Sequence, residues 1–167
     1  MNKFVELGLS DLLARKAHVQ GWQEPTPIQQ KALPAILQGR DLLAIAQTGS
    51  GKTGAFLLPI LDEIGKKPPL QSPAALILAP TRELALQLYQ NVEIFAPSLS
   101  LSGALLIGGV SILGQKEKLM ERPEVVVATP GRLLDHVRQK SIDLSGIRYL
   151  VLDEADRMLD MGFFPDI

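Results

Sequence analysis

Leu42-Leu43-Ala44-Ile45-Ala46-Gln47-Thr48-Gly49-Ser50-Gly51-Lys52-Thr53 is the stretch on which the reading of this chain turns. An apolar run, Asp41 to Ala46, leads into a glycine-rich turn and then into Lys-Thr at the head of an amphipathic segment, Lys52 to Ile64. That order predicts strand, turn and helix, the context in which a phosphate-binding loop operates. Gly49 and Gly51 let backbone N–H groups converge on an anion with no Cβ in the way, and a helix N-terminus adds partial positive charge. Lys52 would reach terminal phosphates, and the Thr53 hydroxyl would ligate Mg²⁺. The loop opens on Ala46 where the generic pattern has glycine.

Outward from this loop, strand-like runs recur at Ala74 to Ala79, Leu101 to Leu106, Glu124 to Ala128 and Ile147 to Leu152. Helical patterns separate them at Arg82 to Phe95, Ser111 to Glu121 and Gly131 to Lys140. This alternation predicts an α/β fold around a mostly parallel sheet. Two more helices, Ser10 to Val19 and Pro27 to Gln38, are expected before the first strand. Ser10 serves as a cap for the first, and Thr26 with Pro27 opens the second, whose continuity Pro34 puts in question. Gly65 to Pro73 has the composition of a mobile loop.

The chain has 167 residues, 46% of them hydrophobic, with 17 basic against 18 acidic side chains. That balance excludes disorder as the main state and a strongly basic nucleic-acid surface, while leaving room for a local phosphate-binding patch. The absence of cysteine excludes a disulfide scaffold, a thiolate nucleophile and a cysteine zinc site. The two histidines, His18 and His136, read as ordinary surface or boundary residues. No apolar run approaches the roughly 18 residues of a membrane span, and the N-terminus lacks a signal-peptide core. A cytoplasmic setting with no membrane partner is expected.

A second motif closes the last strand. Tyr149-Leu150-Val151-Leu152 is followed by Asp153-Glu154-Ala155-Asp156. Ligands of parallel sheets bind beyond the carboxyl ends of the strands, so Asp153 could face the same crevice as Lys52. Asp153 is then the second anchor for Mg²⁺, largely through water, and Glu154 can orient or deprotonate an attacking water.

With these two motifs, and essentially from Phe4 to its end, the chain resembles the first RecA-like lobe of a DEAD-box ATP-dependent RNA helicase. The segment Gly21-Trp22-Gln23-Glu24-Pro25-Thr26-Pro27-Ile28-Gln29 is similar to the family's adenine-reading Q motif, and Phe4 lies at the spacing of the aromatic that covers the base. The resemblance implies a P-loop NTPase core in a three-layer sandwich, one lobe over 1–167. Residues 1–40 would carry the N-terminal helices and Q motif, and 41–167 the P-loop core. It implies ATP held by Phe4, Trp22, Thr26 and Gln29 together with Gln47, Thr48, Gly49, Ser50, Gly51, Lys52 and Thr53. Glu154, Lys52 and Asp153 would carry the hydrolysis. Pro80, Thr81 and Arg82, then Gly109, then Thr129, Pro130, Gly131 and Arg132 resemble the family's RNA-contacting elements in the right order.

Side-chain chemistry fits these roles. The Gln29 carboxamide matches the donor and acceptor of adenine and mismatches guanine, so ATP should be preferred to GTP. Phe4 or Trp22 could stack on the base. Arg82 and Arg132 can pair with phosphates, to which Thr81 and Thr129 can donate, and nothing presents side chains to base edges. RNA contact is therefore expected along the backbone, independent of sequence. Gln115-Lys116-Glu117-Lys118 departs from the family's Gln-x-x-Arg, having Lys last.

The chain stops before the family's Ser-Ala-Thr motif, the usual partner of Asp156, and before the second RecA-like lobe with its arginine fingers. A C-terminally incomplete sheet is therefore expected, with an exposed edge prone to self-association, weak nucleotide binding, little hydrolysis and no unwinding. Two other classes fit the same motifs: a DExx-type P-loop ATPase acting on DNA or protein, and a non-catalytic fragment that binds nucleotide or RNA or dimerises.

Overall fold

The computed structural model describes residues 2–68 and 72–167. Pro69, Leu70 and Gln71, within the loop read between Gly65 and Pro73, lie outside the described residues. The elements in chain order are helices α1 (Lys3–Glu6), α2 (Asp11–Val19), α3 (Pro27–Leu37) and α4 (Lys52–Lys66), then β1 (Ala75–Leu78) and α5 (Arg82–Phe95). A 3-10 turn (Ala96–Leu99) follows, then β2 (Gly103–Leu106), α6 (Ile112–Met120), β3 (Val125–Ala128), α7 (Pro130–Arg138), β4 (Tyr149–Leu152) and α8 (Ala155–Asp160). They divide into two compact units, Met1–Pro68 with Phe95–Ser100, and Pro69–Ile94 with Leu101–Ile167.

The first unit is helical. Its buried side chains include Phe4, Leu13, Leu33, Leu57, Leu58, Leu61 and Ile64, all essentially inaccessible to solvent. Pro34 does not end α3, because a proline forfeits one backbone hydrogen bond while its buried neighbours Leu33 and Ala35 keep the helix packed. Asp62 of α4, 1% exposed, accepts the Ser10 backbone N–H at 3.1 Å and pairs with Lys66 at 2.8 Å. The carboxylate thereby fastens the start of α2 to α4. Burial works against the Lys66 charge, but hydrogen bonds to Asp62 and Glu63 prevail and hold its pKa above the ordinary lysine range.

One expected strand is not formed. Asp41 to Ala46 is irregular and lies open, with Leu43 85% and Ile45 88% exposed. A strand exists through its ladder, and among the described residues no strand pairs with this segment. Its apolar sequence supplies the propensity without the partner.

The second unit holds the sheet. Four parallel strands run in the order β2-β3-β1-β4, with Ala75 opposite both Val125 and Tyr149, and Gly103 opposite Val125. The central strands β1 and β3 are buried along their whole length, which their unbroken Ala-Leu-Ile-Leu and Val-Val-Val-Ala runs demand. One face builds a core from Leu76, Leu78, Ala104, Leu106, Val126 and Ala128 with Leu133 of α7 and Met158 of α8. Against the other face Tyr89 of α5 donates its hydroxyl to the Gly103 carbonyl at 3.0 Å. A Cβ at Gly103 would come within 2.7 Å of Val92, so glycine sets how closely α5 approaches the sheet. On the edge strand β4, Leu150 and Leu152 remain 57% and 37% exposed.

Candidate functional site

In the helical unit the glycine-rich turn closes through Ser50 N–H to the Gln47 carbonyl at 3.2 Å. Gly49 and Gly51 adopt φ of 81° and 88°, a region that disfavours any side chain, and Gly51 caps α4. Lys52 and Thr53 are the first two residues of that helix, where unpaired N–H groups and the helix dipole favour an anion. The Lys52 ammonium donates to the Ala46 carbonyl at 2.6 Å, arching back across the loop with two further N–H groups in hand. Gln47, Thr48 and Gly49 are exposed, and Ser50 is half-buried with its hydroxyl unpartnered.

The Q-motif segment packs on this turn. Gln29, 4% exposed, accepts the Thr26 backbone N–H at 3.0 Å and donates to the Gly51 carbonyl at 3.0 Å. A carboxamide has two N–H groups and two lone pairs, so one of each is left after these bonds. A Cβ at Gly51 would meet Gln29 Nε2 and Thr26 Oγ1 at 2.8 Å, and one at Gly54 would meet the Trp22 ring at 2.5 Å. Trp22 also tilts against Phe95, with centroids 5.1 Å apart. Thr26, Gln29 and Trp22 are therefore brought together with Gly51. Phe4 is placed differently: it is wholly buried, with no ring face open to solvent.

In the sheet unit, the residues singled out by sequence gather at the carboxyl ends of adjacent strands. Ala79 N–H bonds the Ala128 carbonyl, Thr129 N–H the Leu106 carbonyl and Asp153 N–H the Leu78 carbonyl, all near 3.0 Å, so the strand exits are held in step. Thr81 accepts the Leu84 N–H, capping α5, and Thr129 with Pro130 opens α7. Arg82 is exposed and its guanidinium lies on Gly109, where a Cβ would fall 2.2 Å from Nη1. Gly109, at φ of 77°, makes that approach possible. Pro80, Gly131 and the Gly108–Gly109 turn border the same strand ends. Asp153 directly follows β4, and Glu154 caps α8 at φ of 52°, uncommon for a side chain with a Cβ, with its carboxylate 3.3 Å from Arg157. Asp156 is exposed in the first turn of α8.

Arg132, which the sequence offers as a phosphate-pairing group, is engaged within the fold. Its Nη1 donates to the Val110 carbonyl at 3.0 Å and to Gln115 Oε1 at 3.2 Å, and its side chain is only 14% exposed. Nor is His136 a surface or boundary residue: it is wholly buried, with Nε2 2.9 Å from Gln115 Oε1 and Nδ1 2.7 Å from Ser141 Oγ. Burial, then the nearby Arg132 and Lys116 charges, push its pKa below the usual imidazole value, while Asp135 opposes them more weakly. His18 is exposed as expected. The signal missed in the sequence was position. Gln115 shares the inward stripe of α6 with Ile112 and Leu119, and His136 that of α7 with Leu133. Polar residues on core-facing stripes need partners, and these two find each other.

Among the described residues no group of three or more His, Cys, Asp or Glu gathers as for a resident metal, and no helix is long and apolar enough to cross a membrane. The chain belongs to the DEAD/DEAH box helicase family, whose model matches residues 26–167. It is 48% identical over 163 residues to the ATP-dependent rRNA helicase rrp3 of Neosartorya fischeri, covering 97% of this chain and 34% of that protein. It also resembles the RNA-helicase Prp28 of Chaetomium thermophilum bound to ADP, with TM-score 0.91 and 44% identity over 99% of this chain and 41% of that one. A DEAD box protein from the hyperthermophile Methanococcus jannaschii matches at TM-score 0.90 and 39% identity, over 98% of this chain and 44% of that one. The fold expected from sequence, an α/β RecA-like arrangement around a parallel sheet, is the one found. The chain spans about a third of the length of the curated relatives it matches.

Proposed function

We propose that this chain is the ATP-binding lobe of an ATP-dependent RNA helicase. In this reading the Gln47–Thr53 loop cradles the phosphates, with Lys52 exchanging its bond to Ala46 for the terminal phosphates. Gln29 uses its remaining N–H and lone pair on adenine, and its bond to Gly51 ties base reading to the phosphate loop. Trp22 provides an aromatic surface beside it, a role for which the buried Phe4 is less well placed.

The loop's glycine conformations and the Thr53 hydroxyl at the head of α4 suit an Mg²⁺-nucleotide. Thr53 would hold the ion directly, and the ion would neutralise phosphate charge. Glu154 would orient the attacking water and take its proton.

The observation that carries an RNA role, beyond ATP hydrolysis alone, is the gathering of Thr81-Arg82, Gly108-Gly109 and Thr129–Arg132 at neighbouring strand ends, with Arg82 exposed over Gly109. Those groups suit a phosphodiester backbone and read no base edges. The chain by itself would bind nucleotide weakly, hydrolyse it slowly and open no duplex, because a second lobe bearing arginine fingers supplies several orders of magnitude in rate. Self-association through the β4 edge is a second reading, favoured by the exposure of Leu150 and Leu152.

Calorimetry with ADP and GDP in Mg²⁺, with Lys52→Ala alongside, tests the nucleotide half. Saturable ADP binding that Lys52→Ala abolishes and GDP lacks is the expected result, and equal binding of GDP would remove Gln29 as the base reader. Anisotropy of a labelled single-stranded RNA tests the other half, with weakened binding expected for Arg82→Ala.

A further inference from the structure

We propose that His136 and Gln115 are positioning residues for the Ile107–Val110 turn and Arg132. The pair rests on the proposed RNA reading for its purpose, but its geometry stands apart from it. Gln115 Nε2 donates to the Ile107 carbonyl at 2.8 Å, and its Oε1 accepts from Arg132 Nη1 and from His136 Nε2. The amide orientation is forced at both ends, because a carbonyl only accepts and a guanidinium only donates. His136 Nε2 faces an oxygen and must carry the proton. In the neutral ring Nδ1 then accepts from the Ser141 hydroxyl at 2.7 Å, whose single proton is in that case not given to the His136 backbone carbonyl 3.1 Å away.

The consequence is a chain of fixed groups that ends on the turn. Gln115 holds Ile107 on one side, and Arg132, steadied by Gln115, holds Val110 on the other. Gly108 and Gly109 lie between these two carbonyls. Both lone pairs of Gln115 Oε1 are taken, so this carboxamide has no acceptor left for a ligand, and it is 7% exposed. Without the His136 N–H, the oxygen keeps only the 3.2 Å contact to Arg132, so Gln115 and the turn it holds lose one fixing bond, while Arg132 keeps the Val110 carbonyl and its ion pair with Asp135 at 3.6 Å.

Two substitutions separate positioning from mere packing. His136→Gln can place an N–H near the Nε2 position, whereas His136→Asn reaches only as far as Nδ1. Three readouts are taken on the 167-residue chain: hydrogen exchange of the 108–111 amides, affinity for a labelled single-stranded RNA, and ADP affinity. His136→Asn is expected to speed exchange of the turn and weaken RNA binding about tenfold, the scale of one lost buried hydrogen bond. ADP affinity should hold, and His136→Gln should restore the first two. Unchanged turn exchange in a folded His136→Asn protein overturns the proposal.

If the wild-type chain binds no RNA while His136→Asn still frees the turn, the positioning role is supported and the RNA reading falls. Should His136→Asn fail to fold, nitrogen shifts of the wild-type imidazole decide. An Nε2–H tautomer with slowly exchanging turn amides supports the proposal, and an Nδ1–H tautomer overturns it.

Discussion

Two buried glutamines perform the same mechanical act in the two units, and they differ in what they have left. Gln29 ties Thr26 to Gly51 and spends one donor and one acceptor on the backbone. Gln115 ties Ile107 to Arg132 and His136, and its oxygen is saturated by side chains. Each clips a glycine-bearing turn to a helix at comparable burial, 4% and 7% exposed. A carboxamide with both a donor and an acceptor to spare can read a base while holding the fold together, whereas one whose oxygen is already filled has no acceptor to offer a ligand. Burial alone does not distinguish them, but counting donors and acceptors does.

The sharpest way to break this comparison is to remove both amides and read each unit's function. Gln115→Leu leaves Ile107 O, Arg132 and His136 without a shared partner, and a loss of about 3 kcal/mol in urea unfolding is expected. RNA affinity should fall with ADP affinity unchanged. Gln29→Leu should cost about 2 kcal/mol and abolish any preference for ADP over GDP. If Gln115→Leu altered nucleotide choice, the division between the two amides would be lost.

A pH series sharpens the same contrast, since only the Gln115 cluster contains a titratable partner. The His136 pKa is depressed in the folded chain, so the unfolded chain binds more protons between that value and about 6.5. Stability is fully present above about 6.5 and falls on acidification until the folded value is passed. His136→Gln should remove this component from the wild-type pH dependence. Arg132, Lys116 and Asp135 are the charged groups acting on the ring, and Asp135→Asn should deepen the acid loss by removing the one favourable charge.

Smaller effects are expected at the margins of both units. Light scattering at high concentration should show association that Leu150→Lys reduces, because that side chain is the most open apolar group on the edge strand. His18→Ala, on an exposed position of α2, should change stability by less than about 0.5 kcal/mol.

Most of the architecture was legible because its signals are local. The unbroken Val125-Val126-Val127-Ala128 run gave a buried parallel strand, and Thr26 with Pro27 marked the start of α3. The apolar run Asp41 to Ala46 misled because strand formation depends on a neighbour, which propensity does not encode. The glycine turn was legible from spacing, and Gln29 from its motif. The burial of Phe4 and the inward turn of Arg132 were not, since each depends on contacts with residues distant in the chain. His136 could have been found by treating a polar residue on a core-facing stripe as a demand for a partner.

Trp22 gives the helical unit a consequence of a different kind. It is the single tryptophan in the sequence, and its indole lies against Gly54, the residue next to Thr53 in the first turn of α4. Its emission therefore comes from one known place. A change in intensity or wavelength on adding nucleotide reports on the head of α4 without any label, and the chain carries its own optical gauge for the event it is proposed to perform.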